Sequence, residues 1–76
     1  MNRKRRESRR VAADLLEAAK RTVDQALDED QDALDSLPEN LDGSERAGKM
    51  EDAVDFLESA SDSIDSAIED LQLAIA

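Results

Sequence analysis

Glu51, Asp55, Glu58, Asp62, Asp65 and Glu69 recur at intervals of 4, 3, 4, 3 and 4 residues, the spacing that lines side chains along one face of a helix. Carboxylates so arranged could trade a proton, hold a divalent cation, or oppose a cationic surface. Proton transfer near neutral pH needs a pocket that shifts a carboxyl pKa. A slender pair of helices offers none, so the sequence points away from an enzyme. Calcium ligation has a partial match elsewhere, where Asp28, Asp30, Asp32 and Glu39 hold the first, third, fifth and twelfth places of an EF-hand loop. The glycine needed at the sixth place is Ala33, and Pro38 interrupts the segment before Glu39. No metal is therefore expected. Without Cys or His the chain has no zinc or haem ligand, thiol nucleophile or imidazole base, and no cofactor is expected.

Opposition to a cationic surface remains. Successive carboxylates of the stripe would lie roughly 5 Å apart along a helix axis. DNA phosphates are spaced about 3.4 Å along each strand, so a rigid rod of carboxylates could imitate the charge of one strand. Solvated helix faces ordinarily mix signs, often as Glu–Lys pairs that stabilise the helix. Here no cation follows Lys49, and the stripe repels itself without structural gain. Asp52 and Asp70 widen it, and Asp14, Glu17, Asp24, Asp28, Asp32 and Asp35 add carboxylates earlier in the chain.

The start of the chain is the reverse: Arg3, Lys4, Arg5, Arg6, Arg9 and Arg10 form a basic run of the kind that attracts phosphate, acidic partners or membranes. Residues 1–21 are near +5, residues 22–76 near −15, and the whole is −10. The acidic remainder argues against direct nucleic-acid binding, and one aromatic residue, Phe56, makes no stacking platform for single strands. No apolar run approaches the roughly 18 residues of a membrane span, and the N-terminus lacks a signal-peptide core. A cytoplasmic protein that works by binding is expected.

The elements that must carry these charges are helices. Seventy-six residues make one small domain. Charge and scarcity of aromatics would suggest disorder, but the apolar residues are too regularly spaced for it. Met50, Leu57, Ile64 and Leu71 form a seven-residue repeat, Val54, Ser61, Ile68 and Ile75 a second, and Ala53, Ala60, Ala67 and Ala74 a third. Intervals of three and four over four heptads describe a helix packed along one face, which the stripe is expected to oppose. The first half carries Val11, Leu15, Leu16, Val23, Ala26, Leu27, Leu34 and Leu37 in looser phase, with its own row Ala12, Ala19, Ala26 and Ala33. Pro38 disfavours helix at Leu37, and Asp42 or Ser44 can cap a new start near Glu45.

The predicted fold is all-α: helix 1 over about 4–36, a loop over about 37–43, and helix 2 over about 44–75, folded back as a coiled-coil-like antiparallel hairpin. Pairing the alanine rows gives numbers that always add to 86, centring the turn on Gly43. In that register residues 1–9 overhang as a basic arm, frayed because the helix dipole disfavours cations there. Leu27, Leu34, Phe56 and Leu73 would flank the seam, partly exposed. A homodimeric four-helix bundle or a larger partner would cover them.

One segment carries a resemblance. Asp30-Gln31-Asp32-Ala33, Leu37-Pro38-Glu39-Asn40-Leu41, Gly43-Ser44-Glu45-Arg46 and Lys49-Met50-Glu51 together resemble a family of short acidic proteins encoded by phages and mobile elements of gut bacteria. That family shares a basic start, an LPE-x-L, SER and KME centre, and a helical tail. This chain departs in using Asp and Ser where such tails use Glu, which lowers helix propensity. In size and charge the chain also resembles DNA-mimicking anti-CRISPR and antirestriction proteins. The phage-type family implies context and no chemistry; the charge pattern, with the likeness in size and charge to DNA mimics, leads to the expectation of an acidic inhibitor that sets its stripe, and its basic arm, against a nucleic-acid-binding complex with a basic surface. The alternative is a non-enzymatic adaptor acting through helix–helix assembly.

Overall fold

A computed structural model describes residues 3–38 and 43–75. Helix α1 spans Arg3–Asp35 and helix α2 spans Glu45–Ile75, and the two pack against each other along their length as a helical hairpin. The result is a rod with extents of 60 × 14 × 14 Å.

The ends of the helices follow from local chemistry. The last turn of α1 closes through Ser36 N–H donating to Asp32 C=O (3.0 Å) and Leu37 N–H to Leu34 C=O (3.2 Å), and Pro38 forbids continuation. Of the two caps the sequence offers for α2, Ser44 is seen acting: its Oγ accepts the Ala47 N–H at 3.1 Å. Asp42, its rival, lies outside the described residues, as does Glu39. Just before the cap, Gly43 has φ of 84° with nothing near a Cβ position, so glycine serves backbone conformation there and not space.

The interior is a single seam. On α2 the row Ala47, Val54, Ser61, Ile68 is buried, and the row Met50, Leu57, Ile64, Leu71 beside it is half-buried. On α1 burial follows Ala13, Leu16, Lys20, Val23, Leu27, Asp30 and Leu34, at alternating intervals of three and four. This is a heptad seam with two charged members, and it differs from the expected packing in three ways. The alanine rows are not its centre, since Ala19, Ala33 and Ala74 are exposed. Leu27 and Leu34 lie in the seam rather than beside it, whereas Phe56 and Leu73 point outward, 75% and 71% exposed. Side-chain bonds crossing between the helices join Arg9 to Ala74, Lys20 to Ser61 and Asp65, and Asp24 to Ser61; their numbers add to between 81 and 85, short of 86.

Candidate functional site

Heptad position decides what each face of the rod presents. If Val54, Ser61 and Ile68 are a positions, Glu51, Glu58 and Asp65 are e positions beside the seam, and Asp55, Asp62 and Glu69 are b positions farther round. All six carboxylates are exposed. The stripe therefore runs along one flank and does not stand opposite the apolar rows, because its e members adjoin the buried ones.

Asp65 shows what that placement permits. Lys20 Nζ sits 3.0 Å from Asp65 Oδ2 and 3.4 Å from Asp24 Oδ2, and also donates to Ser61 Oγ at 3.0 Å. Ser61 Oγ in turn donates to Asp24 Oδ1 at 2.6 Å. The four side chains form a polar layer across the hairpin, and Ser61 at 7% exposure is its buried member. The hydrogen bond that Lys20 donates to Asp65 raises the Lys20 pKa above its ordinary value, with partial desolvation opposing and Asp24 adding to the rise. The hydrogen bond from Ser61 holds the Asp24 carboxyl below its ordinary value, with Lys20 assisting against desolvation.

These bonds also fix which flanks of the two helices meet. Asp24 is an e position of α1, and it joins the a-position Ser61, whose e-position neighbour Asp65 reaches back to Lys20. The e flanks thus share one side of the rod. On α1 that side carries Asp14, Glu17, Arg21, Asp24, Asp28, Gln31 and Asp35, at intervals of 3, 4, 3, 4, 3 and 4. Two carboxylate rows, one per helix, lie side by side on one face, separated by roughly the 8–10 Å between packed helices. Sequence reasoning found the α2 stripe and named all five acids of the α1 row, but not that the two rows share a side. Of the α1 acids singled out with it, Asp32 falls on the outer side and Arg21 and Gln31 interrupt the row.

Six of the ten basic residues lie at one pole. Arg3, Lys4, Arg5, Arg6 and Arg10 are exposed on the first two turns of α1, helical from Arg3. Arg9 is half-buried and donates from an Nη to the Ala74 carbonyl at 3.2 Å, near the C-terminal end of α2, where the helix dipole favours a cation. The overhang is thus shorter than the expected 1–9, because Arg9 belongs to the packed rod.

Among the described residues no cluster of three or more Asp or Glu is placed to hold a metal ion. Asp28, Asp30 and Asp32, three candidates for calcium, lie within continuous helix α1 and so project on different sides. Among the described residues no helix is long and apolar enough to cross a membrane. No protein-family model, curated protein or solved structure matches the chain.

Proposed function

We propose that the chain is an acidic protein-binding inhibitor, a DNA mimic of phage or mobile-element origin that occupies the nucleic-acid channel of a host defence complex of CRISPR or restriction type. The observation that carries this reading is the two-row carboxylate face, with Glu51, Asp55, Glu58, Asp62, Asp65 and Glu69 all exposed along a rod. A protein evolved only for solubility gains nothing from rows that repel themselves. A channel built for phosphates offers them a partner.

Binding by such a face weakens steeply with salt, as DNA binding does. Pull-down from a bacterial lysate is expected to capture a nucleic-acid-binding complex at about 50 mM salt and to lose it by about 200 mM, or on addition of duplex DNA. The triple variant Asp55→Asn, Asp62→Asn, Glu69→Gln should abolish capture while leaving helicity intact, since all three side chains are solvent-exposed. Equal capture by the triple variant would falsify the mimic. A second reading, an adaptor working by helix–helix assembly, is favoured by the exposure of Phe56. It predicts tolerance of the triple variant and sensitivity at Phe56 or Leu73.

A further inference from the structure

The side of the rod away from the carboxylates is chemically different. It carries the two alanine rows, one from each helix, with Leu15 and Phe56 standing beside them at 66% and 75% exposure. Thr22 and Ser63 occupy equivalent positions between the ends. Its few charges, Arg5 and Asp70 toward one pole and Glu29, Arg46 and Lys49 toward the other, leave it at +1. We propose that a second copy of this chain docks on this alanine face, in antiparallel orientation, to complete a four-helix bundle.

Three observations select that occupant. A second copy brings another −10, so the carboxylate faces exclude each other and the nearly neutral side is where two copies meet with the least repulsion. A side 60 Å long and 14 Å wide projects on the order of 800 Å², the area a standard interface buries per partner. Alanine rows let helix backbones approach to the short end of the ~8–10 Å packing range, and Leu15 and Phe56 supply large apolar contacts. The single hairpin needs such cover, since Val54 and Ile68 are its largest buried apolar side chains among the described residues.

Charge polarity sets the orientation. The pole made of residues 3–21 and 63–75 carries a side-chain charge of +2, and residues 22–62, which include the loop, carry −12. Antiparallel stacking lays the basic pole of each copy over the acidic pole of the other; parallel stacking would put the two acidic poles together. Both carboxylate faces stay outward in either case, so the dimer does not depend on what they bind.

The test is sedimentation of the full chain, with a distance measurement. Wild-type protein is expected at twice the chain mass at micromolar concentration. The double variant Leu15→Glu, Phe56→Glu should run at the single-chain mass, weakened about 100-fold or more, with its helical circular dichroism unchanged because both side chains are exposed. The chain has no cysteine, so Ser36→Cys can carry one spin label at the loop end. Antiparallel stacking predicts an inter-label distance approaching the 60 Å rod length. A distance within about 20 Å, two helix widths, overturns the orientation. A monomeric wild type at every concentration, or a double variant that dimerises as well as wild type, overturns the proposal and leaves the face to a different protein.

Discussion

Ser61 stands in a row with Val54 and Ile68, where an aliphatic side chain would pack as well, and its hydroxyl answers to Lys20 and Asp24 across the hairpin. A polar group at one such seam position fixes register, because sliding the helices by a heptad would bury Lys20 against an aliphatic side chain. Ser61→Ala is expected to cost about 1 kcal/mol, read as a fall of roughly 4–8 °C in Tm. Asp24 gives a pH dependence of known sign. Its folded-state pKa is lowered, so its contribution is present above the unfolded value near 3.9 and is lost as pH falls through the folded one. The Tm difference between wild type and Asp24→Asn should therefore hold from neutrality to about pH 4 and close below it. A difference that persists in stronger acid would show that Asn disturbs packing instead. Lys20, whose pKa is raised, contributes fully below about 10.4 and loses its share as pH rises through the folded value. Sequence reading passed over this layer for a physical reason: a search for apolar spacing on α1 breaks at Lys20 and Asp30, the two charged members of the seam. Ser61 was the legible half, since it interrupts an otherwise aliphatic row.

Each helix has one side committed to its partner and the rest to solvent, and substitutions should divide accordingly. Ile68 is buried in the seam of α2, and Ile68→Ala should cost about 2–5 kcal/mol, a large part of the stability available to a chain this size. Leu73 is 71% exposed on the outer side, and Leu73→Ala should change stability by less than about 0.5 kcal/mol. Urea titration followed by circular dichroism separates the two, and similar midpoints would mean that the seam lies elsewhere. The helices and their antiparallel pairing were legible because four strict heptads on α2 and Pro38 with Gly43 leave few alternatives. The rotation of α1 was less so. Its alanines recur as regularly as its true seam, and alanine is equally at home in the interior and at a flank. Burial chose between the rows, through larger side chains such as Leu16 and Leu27.

At the scale of the whole rod, electrostatics opposes the fold. A chain of −10 with most of its acids on one face repels itself, and salt should relieve this. As the Debye length shrinks from about 30 Å to about 8 Å between 0.01 and 0.15 M, Tm is expected to rise by roughly 4–8 °C, the equivalent of about 1 kcal/mol. A falling Tm would mean that attraction within the Lys20 layer and at the basic pole outweighs repulsion along the stripe. Net charge and the basic pole were legible in the sequence; the division of the rod into a carboxylate side and a nearly neutral side was not, because that depends on which flanks of the helices share a side.

The turn at Gly43 has one more result. By reversing the chain once, it brings the start of α1 and the end of α2 to the same pole, as the Arg9–Ala74 bond shows. Chain attached before Arg3 and after Ile75 would depart from neighbouring points. The hairpin is thus a lever that can be spliced into a surface loop of a host protein without prying that loop apart, carrying its far tip about 60 Å from the point of attachment.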